Sequence, residues 1–420
     1  MTTKSRWLFV AATALFLQAA AVLAQAPFAL HSGDRVVFYG DSITDQRLYT
    51  VFTETYVVTR FPKMPVTFVH SGWGGDRVTG GGGGPIDLRL ERDVIAYHPT
   101  VMTIMLGMND GGYRPFDENL FRTYADGYRH IIDKMKAAVP GIRITVIQPS
   151  PFDDVTRKPN FPGGYNSVLV RYGEFVKQLA RDDHLTVADL NSPMVAMLRA
   201  AYATDPALAQ KIIPDRVHPG PGGHLIMAEC LLKAWNAPSL VASVKLDAAS
   251  KQLVDAASTR VTNLHFGPSI TWTQTDDALP MPVDWNDPVT ALAVRSSDFM
   301  EALDQEPLVV ANLDVPRWTL KIDGETIGTF TREELAAGIN LAQYATPMAR
   351  QAAQVYALTV KHNNIHFLRW RSVQVPLQGE KDPHIHKALA ELDAFEADIV
   401  KEQRAAALPR PRHFELIPAP

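Results

Sequence analysis

A serine that closely follows an apolar run is the first group in this chain able to do chemistry: Val36 to Tyr39 leads directly into Gly40-Asp41-Ser42. If the run is a parallel strand, Ser42 stands at its carboxyl end, where open α/β sheets form their crevices. A serine there can also do no more than cap a helix. The alternative G-x-S-x-G elbow does not apply, because Thr44 occupies the place of its second glycine. Two further blocks follow apolar runs in the same way. His70-Ser71-Gly72-Trp73-Gly74-Gly75-Asp76 is dense in glycine, which lets a backbone N–H approach a bound oxygen without a side chain in the way. Gly107-Met108-Asn109-Asp110 places an amide side chain after Leu106. Ser42 N–H, Gly75 N–H and the Asn109 amide are the donors that a tetrahedral oxyanion requires. Asp215-Arg216-Val217-His218-Pro219 completes the set. Three-residue spacing lets one turn hold a carboxylate against Nδ1 of an imidazole, so that Nε2 faces Ser42 and can take its proton.

These blocks need a scaffold that brings their strand ends together. Short apolar runs (Val36 to Tyr39, Val66 to Val69, Val101 to Leu106, Ile142 to Ile147, Leu185 to Ala188) alternate with stretches of helical period. The helical stretches are Leu48 to Arg60, Asp87 to Ala96, Phe116 to Ala138, Val168 to Asp182 and Gly222 to Trp235. The pattern predicts a three-layer α/β/α sandwich with a parallel sheet and right-handed crossovers over residues 27–240. After Pro238 the texture changes, and residues 241–345 read as a β-rich accessory unit. Trp318 to Ile322, then Asp323-Gly324, then Thr326 to Phe330 predicts a hairpin, and Thr331 with Glu334 predicts a capped helix stopped by Gly338. Residues 346–420 read as a helical return, notably His386 to Ala406, and a Pro-rich tail from Pro409.

The four blocks, in this order and in these strand contexts, resemble the SGNH (GDSL-type) hydrolase superfamily over roughly residues 34–236, about half of the chain. The resemblance implies a flavodoxin-like α/β sandwich and a serine esterase that needs no cofactor. It puts the nucleophile on Ser42, the second-block glycine on Gly75, the third-block asparagine on Asn109, and the acid and base on Asp215 and His218. Gly75 is preferred to Gly74 because it precedes Asp76, as the family's glycine commonly precedes an aspartate. Met108 departs from the family's usual glycine and reads as packing beneath the loop. The run Gly80 to Gly84 is no phosphate loop, since Pro85 follows it; it reads as a flexible surface loop or a mobile rim of the site. Tyr113, Phe152, Phe161 and Tyr165, all on loops after strand ends, are candidates for the substrate rim.

Composition bounds the rest. The 420-residue chain is 46% hydrophobic, enough for two folded units, and its net charge of -4 with dispersed charges points to neither a nucleic acid nor an anionic membrane surface. Lys4 and Arg6, the apolar stretch Trp7 to Leu23 and Ala24-Gln25-Ala26 read as a signal peptide over residues 1–26, hence a secreted or periplasmic protein without a later membrane span. The one cysteine, Cys230, reads as a buried thiol. His224 reads as a polar surface residue opening the last helix of the first unit. His362 with His366, and His384 with His386, lack the glutamate or cysteine partners of a zinc site, so no metal is expected. Trp272, Trp285 and Trp318 read as core of the accessory unit, with a sugar-stacking platform as the alternative. Export and the accessory unit favour a polysaccharide ester, and the resemblance then points to deacetylation. A lipase, a broad short-chain carboxylesterase or a thioesterase is the alternative, and a non-catalytic glycan or surface-binding protein is the reading of a different class. Nothing in the sequence sets an oligomeric state.

Overall fold

The structure is a computed structural model that describes residues 27–420; the signal peptide read over residues 1–26 lies outside the described residues. The first unit alternates strand and helix: β1 (Arg35–Gly40), α1 (Ser42–Asp45), α2 (Leu48–Arg60), β2 (Thr67–Gly72), the short pair β3 (Gly80–Gly81) and β4 (Gly84–Pro85), α3 (Ile86–Asp93), β5 (Val101–Met105), α4 (Glu118–Ala138), β6 (Arg143–Ile147), α5 (Asn166–Asp183), β7 (Thr186–Ala188), α6 (Asn191–Thr204), α7 (Pro206–Ile212) and α8 (Pro221–Ala234). Five strands form a parallel sheet in the order β2-β1-β5-β6-β7. The chain moves from β1 outward to β2 and then returns past β1 to β5. That reversal opens a crevice beyond the carboxyl ends of β1 and β5.

The strands form because their runs suit burial on both faces. Val36 to Tyr39 in β1 and all five residues of β5 are buried, the continuous pattern of a sheet covered on both sides. Helix α4 buries Tyr124, Tyr128, Ile131, Ile132 and Met135, a stripe of helical period against the sheet, and Asp117 caps its first turn by accepting from the Asn119 and Leu120 N–H groups. In α2 every residue from Tyr49 to Arg60 is buried. A helix covered all round must pack on more than the sheet, and α2 does: it lies against α8 on one side and a helix of the C-terminal region on the other.

That region comprises β8 (Ser243–Asp247), β9 (Gln252–Ala257), β10 (Thr259–Phe266), β11 (Ile270–Asp276), α9 (Pro288–Arg295), α10 (Phe299–Leu303), β12 (Pro307–Ala311), β13 (Arg317–Ile322), β14 (Glu325–Thr331), α11 (Arg332–Ala337), β15 (Ile339–Asn340), α12 (Pro347–Phe367), α13 (Pro383–Ala406) and β16 (Arg412–Pro418). One antiparallel sheet runs β10-β11-β16-β13-β14 and a smaller mixed sheet runs β15-β12-β8-β9. Asp323 and Gly324, with φ of 51° and 83°, make the tight turn between β13 and β14. Thr331 and Glu334 form a reciprocal capping box at α11.

Three features depart from expectation. The stretch read as a Pro-rich tail is β16, a strand between β11 and β13 whose Phe414 and Leu416 are fully buried. Helices α9 and α10 carry Leu292, Val294, Phe299 and Leu303 into the core of the first unit rather than the second. The helix α12 continues through a π-helical turn, Leu368–Gln374, that reaches the second-block loop. Helix α12 packs against β2 at the edge of the parallel sheet, and just ahead of that strand Arg404 of α13 donates to the Met64 and Val66 carbonyls at 2.9 and 2.6 Å.

Candidate active site

Gly40 ends β1 where the backbone needs a residue without Cβ, since a Cβ there would lie 2.2 Å from Thr44 Oγ1 and 2.7 Å from the Met105 carbonyl. Asp41 then caps α1, its Oδ1 accepting from Ile43 N–H at 3.0 Å. Burial pushes the Asp41 carboxyl up to about 7, against the pull of that bond. Ser42 is the first residue of α1, so its own N–H has no intrahelical acceptor.

The Asp215 turn is built by its own carboxylate. Oδ1 accepts from the Val217 and His218 N–H groups at 2.9 and 2.7 Å, which leaves Oδ2 at 2.7 Å from His218 Nδ1. His218 Nε2 lies 2.8 Å from Ser42 Oγ. An ionised carboxylate only accepts, so the imidazole proton sits on Nδ1 and Nε2 is left to accept from the serine hydroxyl. Burial works against the charge on Asp215, but the bonds from His218 and Val217 outweigh it and hold the carboxyl below its ordinary range.

What aims this turn is a buttress that no local pattern announced. Arg157 donates to the carbonyls of Gln210, Ile213 and Pro214 at 2.7, 3.0 and 3.0 Å, and to Asp153 Oδ2 at 2.9 Å. Arg216 holds a left-handed φ of 72°, donates to the Lys158 carbonyl at 2.9 Å and accepts from Asp153 N–H through its own carbonyl at 2.9 Å. The only signal in the sequence was Asp153 four residues before Arg157, a spacing shared by countless solvated pairs.

On the opposite side of Ser42, Gly72 must be glycine because a Cβ would lie 2.2 Å from Asp45 N. The two glycines that follow are distinguished by their hydrogen bonds. Gly74 N–H donates to Asp45 Oδ2 at 3.1 Å, whereas Gly75 N–H meets no acceptor among the described residues. Gly75 is exposed, with a φ of 78° and no atom within 4 Å of where a Cβ would be, so backbone conformation rather than space calls for glycine. Asn109 Nδ2 donates to the Asp76 carbonyl at 3.0 Å and its Oδ1 accepts from Tyr113 OH at 3.0 Å. Beneath the loop lies Arg89, fully buried, donating to Asp76 Oδ2 and the Ser71 carbonyl at 2.8 Å each and paired with Asp93. Trp73 stands over this guanidinium, edge-on to Trp370 of the π-helical turn, with Arg371 against its face.

The structure corrects some assignments and bears out others. Of the four aromatics read as rim, only Tyr113 is exposed; Phe152 and Tyr165 are buried at 5% and 1%, and Phe161 packs partly buried on the core. Tyr165 instead supports the third block from below, its hydroxyl donating to the Met108 carbonyl at 2.7 Å. Met108 is buried under the loop. The glycine run carries regular structure: β3 and β4 form a small hairpin against Trp73, and a Cβ on Gly83 would lie 2.6 Å from that ring. His224 is fully buried, its Nδ1 accepting from Tyr49 N–H at 3.2 Å, and burial pushes its pKa down to about 3. Trp272 and Trp318 are buried core, and Trp285 lies partly buried against the first unit. Cys230 is buried.

The His362 and His366 pair belongs to a buried polar cluster between the two regions. Glu54 of α2 accepts from His362 Nδ1 (2.9 Å), His70 Nε2 (3.2 Å), Asn363 Nδ2 (3.2 Å) and Gln403 Nε2 (2.9 Å). Beside it a cavity of about 580 Å³ opens between β2, α12 and α13; neither Ser42 nor His218 lines it. Among the described residues no group of His, Cys, Asp and Glu is arranged to hold a metal, and no helix is long and apolar enough to cross a membrane.

Residues 38–226 match the GDSL-like lipase/acylhydrolase family. Over 224 residues the chain is 28% identical to an acetylxylan esterase of Geobacillus stearothermophilus, spanning 48% of this chain and 94% of that protein. The solved structure of a gut microbial diltiazem-metabolizing enzyme is 25% identical and superposes with a TM-score of 0.80, covering 94% of this chain and 100% of its own.

Proposed function

Because residues 38–226 belong to the SGNH (GDSL-type) hydrolase superfamily and the chain is an ester-bond hydrolase, we propose that it works through an acyl-enzyme on Ser42 and that its substrate is an acetylated carbohydrate. The observation that carries the mechanism is the continuous line Asp215 Oδ2, His218 Nδ1, His218 Nε2, Ser42 Oγ, with contacts of 2.7 and 2.8 Å. His218 takes the hydroxyl proton as Oγ attacks the carbonyl carbon, and Asp215 steadies the imidazolium that results. Ser42 N–H, Gly75 N–H and Asn109 Nδ2 receive the developing oxyanion. Collapse expels the alcohol, protonated by His218, and water activated by the same imidazole then releases the acid.

The carbohydrate acetyl ester is supported by the likeness to the acetylxylan esterase over the first unit. A second reading, hydrolysis of an ester on a small drug-like molecule, is favoured by the likeness to the diltiazem-metabolizing enzyme, which extends through the C-terminal region as well. Export belongs to the same proposal and rests on the N-terminal residues Lys4 to Ala26. A fluorophosphonate probe tests the mechanism: labelling is expected in the native protein and not in Ser42→Ala. Absence of labelling in the native protein would favour a non-catalytic binder. Rates on acetylated xylan, diltiazem and p-nitrophenyl esters of increasing length then separate the substrates. Fastest turnover of acyl chains beyond about eight carbons would return the choice to a lipase.

A further inference from the structure

We propose that Tyr113 is a positioning residue for the reaction, holding the Asn109 amide so that its free Nδ2 hydrogen points at the oxyanion; this rests on the reading of Asn109 as an oxyanion donor. An asparagine amide can flip end for end, and a flipped Asn109 would present an acceptor where a donor is needed. Two bonds of opposite polarity fix its sense. The Asp76 carbonyl takes one Nδ2 hydrogen at 3.0 Å, and the Tyr113 hydroxyl donates to Oδ1 at 3.0 Å. With Oδ1 capped and one Nδ2 hydrogen used, only the second Nδ2 hydrogen remains. A donor on Oδ1 also draws charge from the amide and strengthens its remaining N–H as a donor.

The backbone is shaped for this contact. Gly112 and Tyr113 follow one another in the left-handed region, at φ of 66° and 55°, and turn the chain back so that a side chain four residues on reaches Asn109. A bulky residue at positive φ is unfavourable, so something must hold it there. Its ring is held by Tyr165, with centroids 5.0 Å apart, and by the edge of Phe152 at 6.3 Å. Gly111 permits that packing, since a Cβ on it would lie 2.5 Å from Tyr165 OH. The two aromatics found beneath the surface thus act through Tyr113. Half-burial of the phenol against its aromatic neighbours, with the nearby charges of Asp41 and Asp215, pushes it up to about 12, so it stays a donor across the working pH range.

The test is a double-mutant cycle on the full chain with p-nitrophenyl acetate. Tyr113→Phe keeps the ring and removes only the hydroxyl; kcat is expected to fall about tenfold with KM within about twofold and an unchanged melting temperature. In an Asn109→Ala background the same substitution is expected to change kcat by less than about twofold, because the group it acts through is gone. An equal loss in both backgrounds, or an effect carried by KM, would overturn the proposal in favour of direct contact with substrate. So would a wild-type kcat in Tyr113→Phe beside a crippled Asn109→Ala. If Asn109→Ala itself keeps kcat within about tenfold, the oxyanion role underneath fails, and the single variant alone reveals it.

Discussion

Removing the Glu54 carboxylate tests whether the C-terminal helices are an integral part of the hydrolase. Glu54 receives four hydrogen bonds, from β2, α12 and α13, in a site where its side chain is 2% exposed. Burial alone would push the His362 imidazole down; the Glu54 charge and the bonds to Glu396 and Glu54 outweigh it and raise it to about 10. His70, by contrast, is pushed down by burial and stays neutral, so His362 is the cation of the cluster. Stripping one partner from a buried ion pair costs about 3–5 kcal/mol. His362 keeps Glu396 at 2.9 Å, so Glu54→Ala should fall near the lower figure. With an unfolding entropy of about 2.1 cal/mol/K per residue, a loss of about 3 kcal/mol lowers the melting temperature of a chain this size by about 3.5 °C if it unfolds as one unit. The folded pKa of His362 lies above its unfolded value, so its contribution is complete below about pH 6.5 and is lost as pH rises through about 10. Calorimetry of both proteins near pH 6 should therefore show the full gap, and near pH 10.5 a smaller one. A gap under about 1 °C near pH 6, or one that widens with alkali, would refute the assignment of His362 as a cation held by Glu54.

Ser42→Ala and His218→Ala should each lose about 10⁴-fold or more in kcat on p-nitrophenyl acetate while melting like the parent, since neither side chain is core packing. Gly83→Ala should displace the Trp73 ring and quench or shift its fluorescence, because its Cβ would meet that ring at 2.6 Å. Gly75→Ala meets no atom, so its stability loss should be confined to the roughly 1 kcal/mol of a strained φ while kcat falls through a misplaced N–H.

Residues whose positions follow from a strand end or a short turn were legible in the sequence. Ser42 and Asn109 stand where apolar runs stop, and the i, i+3 spacing of Asp215 and His218 is enough to close their contact. What was not legible depends on partners far along the chain. His224 looks like an exposed helix opener until Tyr49 and Gln46, some 175 residues earlier, close over it. Arg157 matters only because it meets carbonyls more than 50 residues away. The strand β16 does alternate, with Phe414 and Leu416 inward, but prolines on both sides disguise it as an unstructured end. Helix α7 has a readable start in Asp205-Pro206, a cap followed by a first-turn proline, but its seven residues are too few to display a helical period.

The placement of β16 governs how this half of the molecule comes together in time. The pairs β10-β11 and β13-β14 are local hairpins that can zip up early, yet each then presents a bare row of amides and carbonyls until residues 412–418 slide between them. Joining strands roughly 100 to 140 residues apart makes that insertion the slow step, and until it happens two sticky edges are open to other copies of the chain. Refolding yield should therefore fall steeply with protein concentration, and a chaperone that shields strand edges should help this protein more than one that assists helix docking.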